Sequence, residues 1–156
     1  MLMSRLFVAG SAVLICILSG CGGEQSATAS PDTAAPLAIS DLLASADIKR
    51  GQTMFFQCRA CHSLEEGGMN KVGPNLYGVF GRKAGLVPGF VFTDALKNTD
   101  VVWTVEAMDG WLARPSDFLP GNRMVFVGVK DARERANLIA YLQQETGANN
   151  LLPDSD

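Results

Sequence analysis

Five consecutive residues, Cys58-Arg59-Ala60-Cys61-His62, constrain the fold of this 156-residue chain more than any other feature. Two cysteines separated by two residues and followed at once by a histidine have the spacing of a c-type haem attachment site. In such a site each thiol joins one vinyl group of the haem, and the histidine binds the iron from one side. The motif therefore predicts a domain built around one covalently bound haem c.

The same two thiols also suit a zinc site or a redox dithiol, but the rest of the chain argues against both. A zinc site needs two further cysteine or histidine ligands, whereas His62 is the only histidine. The remaining cysteines, Cys16 and Cys21, lie within and at the end of an apolar N-terminal run. A thioredoxin-like dithiol would need a βαβ pattern, which is absent. His62 is thus the one imidazole that can bind the iron.

The N-terminus has the features of an export signal. A basic start ending at Arg5 precedes an apolar run from Leu6 to Leu18, which is too short to span a bilayer as a helix. Leu18-Ser19-Gly20-Cys21 then resembles a bacterial lipobox. We expect residues 1–20 to be a signal peptide and Cys21 to be lipidated, which places the domain on the periplasmic side of a bacterial membrane. The alternatives are an ordinary signal peptide, giving a free periplasmic protein, or an uncleaved anchor.

Composition sets the remaining boundaries. Residues 21–40 are mostly small and polar without apolar periodicity, so they predict a flexible linker. One domain is expected over residues 41–146, followed by a C-terminal tail at 147–156. The chain carries a net charge of −3 and no basic stripe, which argues against a nucleic-acid partner.

Capping signals predict an all-α domain. No segment alternates well enough to predict a sheet, and residues 63–89 are rich in Gly and Pro, which predicts loops. Gly51 inside the first helix predicts a close helix crossing. The expected helices are residues 47–58, a short helix after Thr93, one after Thr104 that ends before Pro115, and one opened by an Asp131–Glu134 capping box and ended near Gly147.

The second axial ligand needs a soft or basic atom. Met124 follows a turn-prone Pro120-Gly121 pair, and a thioether opposite an imidazole closes the iron to small ligands and raises its potential. Met54 and Met108 fall in predicted helices and suit a core, while Met69 is close to His62 in sequence.

Several runs, in order and at matching spacing, resemble class I cytochromes c of the mitochondrial and alphaproteobacterial branch. The resemblance implies ligation of the iron by His62 and Met124 and orientation of His62 by the Pro74 carbonyl. It also places Arg82 and Trp103 near a haem propionate. We further expect Phe126 to pack by the exposed haem edge. The runs are Gly51-x-x-x-Phe55-x-x-Cys58-x-x-Cys61-His62, Gly73-Pro74-Asn75-Leu76, Gly81-Arg82-Lys83, Pro120-Gly121-x-x-Met124 and Leu138-Ile139-Ala140-Tyr141-Leu142.

The chain also departs from that family. Phe92 and Leu96 replace a tyrosine and an asparagine that many relatives have near the haem, and Trp111 replaces a tyrosine near the methionine sulfur. Arg123 and Asp117 stand where many relatives have lysine. Trp111 can donate a hydrogen bond but not accept one, so the polar network there must differ.

A haem with both axial positions filled predicts a one-electron carrier and not an enzyme. We expect the protein to be a monomer. The resemblance implies a quinol-oxidising complex as donor and a terminal oxidase or photosynthetic reaction centre as acceptor. The alternatives are a haem enzyme or ligand sensor with a labile Met124, or a fixed haem subunit of a larger complex. Basic and acidic residues offset one another around the predicted haem edge, so we expect a mixed-charge surface there.

Overall fold

The computed structural model describes residues 37–148, and within that range the fold is helical. The described part contains no β-strand and one isolated antiparallel bridge, between Lys83 and Val102, which confirms the all-α prediction. It contains no helix long and apolar enough to cross a membrane. The predicted signal peptide, Cys21 and most of the predicted linker lie outside the described residues. The helices are α1 Ile39–Leu43, α2 Ile48–Phe55, α3 Asp94–Lys97, α4 Val105–Ala113, α5 Pro115–Phe118 and α6 Ala132–Glu145.

Helices α2 and α6 cross at Gly51. A Cβ on Gly51 would lie 2.7 Å from the Cβ of Tyr141 and would collide with the backbone oxygen of Asn137. The rings of Phe55 and Tyr141 pack beside the crossing with centroids 5.7 Å apart. Leu138 on α6 is fully buried. The predicted close crossing is confirmed, and only glycine allows the two backbones to approach this far.

Residues at the N-terminal ends of the two crossing helices also link one helix to the other. Asp47 caps α2 by accepting the Arg50 amide at 3.0 Å, and its own amide donates to the Asn137 side chain of α6 at 2.8 Å. Asp131 caps α6 by accepting the Glu134 amide at 2.9 Å. Glu134 does not complete a capping box, because its carboxylate accepts the Arg50 Nε at 2.8 Å. The predicted box is thus half formed: Asp131 caps α6 as expected, whereas Glu134 links α6 to α2.

Two short helices differ from the sequence-based expectation. Thr93 precedes α3, but its side chain makes no capping hydrogen bond, and its Oγ1 is buried without a partner among the described residues. Thr104 does cap α4, accepting the Ala107 amide at 3.1 Å. Helix α5 was not predicted, although Pro115 at its first position is a common helix start.

The domain extends slightly beyond both expected boundaries. Helix α1 begins at Ile39, inside the predicted linker, and buries Leu42 while packing on α4 and α6. Arg133 of α6 donates to the Leu42 carbonyl at 3.1 Å. At the other end, Gly147 ends α6 with φ of 77°, and Ala148 is buried in the core. The first residues of the predicted tail therefore pack on the domain.

Candidate haem site

One cavity of about 690 Å³ gathers the predicted site residues of the described chain. This volume lies within the roughly 300–1,000 Å³ typical of cofactor sites. The cavity lies between the loops of residues 57–92, helix α4, the 123–126 segment and the apolar face of α6. It is lined by all of the residues proposed from sequence for haem binding and iron ligation, namely Cys58, Cys61, His62, Pro74, Arg82, Trp103, Met124 and Phe126.

The attachment motif forms a single turn directly after α2. The Cys58 amide donates to the Phe55 carbonyl at 2.8 Å, and the Cys61 and His62 amides both donate to the Cys58 carbonyl at 3.0 Å. This turn brings both thiols to the cavity wall, where neither forms a disulfide. Burial raises the pKa of the Cys58 thiol to about 11. A thiol with a raised pKa forms little thiolate at neutral pH, which argues against a redox dithiol.

His62 is oriented by the loop that follows it. Its Nδ1 donates to the Pro74 carbonyl at 2.8 Å, which is the hydrogen bond that the resemblance implies. Gly73 packs against the ring so closely that a Cβ there would lie 2.8 Å from Nδ1. Burial lowers the pKa of His62, the Pro74 bond opposes that shift, and the Lys71 charge adds to it. A neutral ring with Nδ1 protonated leaves Nε2 free to bind a metal ion.

Met124 is held on a braced segment. Its amide donates to the Asn122 Oδ1 at 2.9 Å, and the Asn122 amide group donates to the Pro115 and Leu119 carbonyls, both at 2.8 Å. Asn122 was not identified from sequence. An asparagine whose side chain bonds to the backbone two residues later is typical of turns. The sequence therefore did contain a local indication of this role.

The other methionines differ in their access to the cavity. Met69 is 80% exposed and lies outside the lining, and Met54 packs from α2 against the core. Met108 does line the cavity, but it is buried at 5% exposure within α4. These positions favour Met124 as the axial ligand, which remains a prediction.

The polar lining fits the propionates of a haem. Within the described chain, the lining contains Arg82, Lys83 and Arg123 and no acidic side chain. Thr93 also lines it, and its unpartnered hydroxyl is a donor or acceptor for an oxygen placed in the cavity. The sequence pattern predicts Thr93 only as a helix cap. The thiols, the oriented imidazole and these donors together fit a haem, which supplies one-electron iron chemistry when bound.

An aromatic cluster adjoins the cavity at α4. Trp103 and Trp111 meet edge to face with centroids 5.4 Å apart, and Phe118 lies 6.4 Å and 6.1 Å from them. Both tryptophans line the cavity and are less than a tenth exposed. Phe92 and Leu96, the two apolar departures from the family pattern, also line it. The wall around Met124 is therefore more apolar than the resemblance alone implies.

Arg123 is expected to make the Met124–iron bond persist at alkaline pH. Its Nη2 donates to the Val91 carbonyl at 2.9 Å, which ties the Met124 segment to the loop ahead of α3. Arginine keeps its proton to above about pH 12, whereas a lysine near pH 10.4 releases an amine that can replace the thioether. In Arg123→Lys, the near-infrared sulfur-to-iron band should disappear at least about one pH unit earlier than in the wild type.

A pH titration of that band in the oxidised protein tests this expectation. Arg114→Lys is the matched control, because Arg114 pairs with Asp117 on the surface at 3.3 Å and lies outside the cavity lining. Equal midpoints for the wild type and Arg123→Lys would contradict the role given to Arg123.

Comparison with known proteins agrees with this site. The cytochrome c family model matches residues 48–146. Cytochrome c2 of Blastochloris viridis is 44% identical over 101 residues, covering 65% of this chain and 80% of its own. Cytochrome c of Chlamydomonas reinhardtii is 46% identical over 101 residues, covering 64% and 90%. The structure of cytochrome cH from Methylobacterium extorquens superposes with a TM-score of 0.59 at 41% identity, covering 63% and 98%. The family match spans well over half of the sequence and includes both attachment cysteines, so the chain belongs to the cytochrome c family and carries one covalent haem c.

Proposed function

We propose that this cytochrome carries single electrons between membrane redox complexes on the periplasmic side of a bacterial membrane, tethered there by a lipid on Cys21. The observation that supports the carrier role is the shared cavity of His62, fixed by the Pro74 carbonyl, and Met124, fixed by Asn122. Two such ligands leave the iron no open position, and a closed iron exchanges electrons without binding substrate.

Among the described residues, the cavity lacks the acid–base side chain that a haem peroxidase would use. Members of this family are electron carriers and not enzymes. A peroxidase or a ligand sensor requires an open iron position and usually a distal acid–base group. The chain has no second histidine, and no Asp or Glu among the described residues lines the cavity. The lining therefore supports electron transfer.

The proposed partners are a quinol-oxidising complex as donor and a terminal oxidase or photosynthetic reaction centre as acceptor. The similarity to a bacterial cytochrome c2 and to cytochrome cH supports a membrane complex as partner. We propose that the protein acts as a monomer, because a mobile carrier has to present the same haem edge to each partner in turn.

The tether is proposed from the lipobox-like Leu18-Ser19-Gly20-Cys21 and the small polar residues that follow it. A tether raises the effective concentration of the carrier near a membrane partner without any new contact. Mass spectrometry of the mature protein tests it: the expected mass corresponds to a chain that begins at a lipid-modified Cys21 and carries one haem. An unmodified N-terminus would contradict the tether and leave the carrier role intact.

The carrier role is tested by exposing the reduced holoprotein to carbon monoxide at neutral pH. We expect no change in the visible spectrum within the mixing time, because Met124 as an iron ligand would fill the position that carbon monoxide needs. A potentiometric titration should follow a single one-electron curve. Rapid binding of carbon monoxide would instead indicate a haem enzyme or sensor with a labile Met124.

A further inference from the structure

Four apolar side chains both line the cavity and remain exposed to solvent, so they must lie at its mouth. Their exposed fractions run from 59% to 102%, far above those of the core side chains. We define these residues as the apolar rim: Val72, Leu86, Val91 and Val125. We infer that a redox partner docks on this rim, and that the matching partner surface is apolar and carries little net charge. This inference rests on the proposed carrier function and adds the chemistry of the partner.

The described domain carries no excess of either charge. Residues 37–148 include 12 basic side chains, which are all the basic residues of the sequence except Arg5. They also include 12 acidic side chains, the remaining four being Glu24, Asp32, Asp154 and Asp156. Long-range attraction of a strongly charged partner needs a net charge or a focused patch. The totals leave only a focused patch as a source of such attraction.

The cations at the cavity do not form that patch. Lys83 pairs with Asp100 at 2.8 Å. Arg123 donates to the Val91 carbonyl at 2.9 Å, and Arg82 donates to the Tyr77 carbonyl at 3.1 Å. The propionates of a bound haem would offset the two arginine charges. The mouth is therefore close to neutral as well as apolar.

Most other basic side chains of the described residues are also engaged within the molecule. Arg59 lies over the Phe56 ring at 4.3 Å, and Lys71 donates to the Arg59 carbonyl at 2.8 Å. Among the basic residues of 37–148, only the side chains of Lys49 and Lys130 have no partner within that range. The others form ion pairs or hydrogen bonds, namely Arg50 with Glu134, Lys97 with Asp94, Arg114 with Asp117, Arg133 with Ser45, and Arg135 with Asp109.

Such a surface favours a brief, apolar encounter. Four exposed aliphatic side chains provide a small contact, and transient redox complexes bury less than about 1,200 Å² in total. At the mouth, a partner with a strong negative field would gain little, because Lys83 is paired with Asp100 and the propionates of a bound haem would offset the charges of Arg82 and Arg123. A partner with a strong positive field would also gain little, because no acidic side chain of the described residues lines the cavity. An apolar, weakly charged surface is the one that this rim complements.

Electron self-exchange between reduced and oxidised holoprotein tests the inference without a known partner. Exchange requires two cavity mouths to meet, and line broadening in NMR spectra of redox mixtures gives its rate. For the wild type we expect the rate to change less than about twofold between low and high salt, since neutral rims neither attract nor repel. In the double variant Val72→Lys/Val125→Lys, four like-charge pairs should slow exchange about tenfold at low salt, and high salt should restore it.

The matched control adds the same two charges away from the mouth. Leu37→Lys/Val102→Lys alters exposed residues outside the cavity lining and should retain at least about half of the wild-type rate at low salt. Ferricyanide is an anion, so the added lysines attract it where they repel a second cytochrome. The rim variant should therefore reduce ferricyanide faster than the wild type at low salt. A loosened haem pocket cannot slow one reaction and accelerate the other.

Three results would overturn the inference. They are a wild-type self-exchange rate that rises about tenfold with salt, equal slowing in the rim and control variants, or no effect in the rim variant. Failure of the carrier function has a different signature, since it appears as rapid carbon monoxide binding by the wild type.

Discussion

Replacement of Met124 by alanine is expected to open the iron, so that the reduced protein binds carbon monoxide within the mixing time. Among the described residues of the cavity, Met108 is the one other thioether, and it is buried within α4. Loss of the Met124 sulfur should also remove the near-infrared sulfur-to-iron band. The reduction potential should fall by about 0.1–0.3 V, a fraction of the roughly 0.8 V range that axial ligands span.

Met108→Ala is the matched control for that result. It removes the same thioether from the same cavity, and it should cost about 2–4 kcal/mol of unfolding free energy through loss of packing. The band and the slow reaction with carbon monoxide should survive in this variant. The reverse outcome, with the band lost in Met108→Ala and retained in Met124→Ala, would reassign the axial ligand.

Gly51→Ala is expected to lower the unfolding free energy of the holoprotein by at least about 3 kcal/mol. The new Cβ would collide with the Asn137 backbone oxygen, which cannot move without shifting α6. Alanine gains only about 1 kcal/mol over glycine in helix propensity, so the collision dominates. Denaturation by guanidinium, followed by the fluorescence of Trp103 and Trp111, measures the difference.

Gly67→Ala separates collision from backbone strain. Gly67 has φ of 68°, and no atom of the described residues beyond its chain neighbours lies within 4 Å of the position that a methyl group would take. Its substitution should therefore cost only about 1–2 kcal/mol. A Gly51→Ala variant within about 1 kcal/mol of the wild type would show that the two helices separate easily, contrary to the close crossing.

The helices of this domain were predictable where local signals and tertiary contacts agree. Asp131 and Thr104 are helix caps in the sequence and also in the structure. Glu134 and Thr93 were predicted to act locally, but tertiary surroundings decided otherwise. Glu134 is within reach of Arg50, whose charge competes for the carboxylate, and the Thr93 hydroxyl is buried at the cavity. A cap prediction weighs only neighbours in sequence, so it could not anticipate either contact.

The candidate site shows the same division. The attachment motif identifies Cys58, Cys61 and His62 by spacing alone. The turn-prone approach points to Met124, and the resemblance to the family adds Pro74. The supports of the Met124 segment were not predicted. Asn122 acts through carbonyls three and seven residues before it, and Arg123 acts through Val91, 32 residues away. Hydrogen bonds to backbone carbonyls leave no trace in the identity of the accepting residue, so sequence patterns miss them.

The cavity needs segments from both ends of the described domain, because α2 and α6 cross beside it. The Asp47 amide and the Asn137 side chain that accepts its hydrogen bond are 90 residues apart. Helix α2 leads directly into the thiols, while α6, near the other end of the described chain, lines the same cavity with Leu138 and Leu142. A chain clipped before α6 would keep every residue of the attachment motif and still lack a wall behind it. Proteolytic loss of α6 would therefore impair haem binding at the attachment motif, although every residue of that motif would remain.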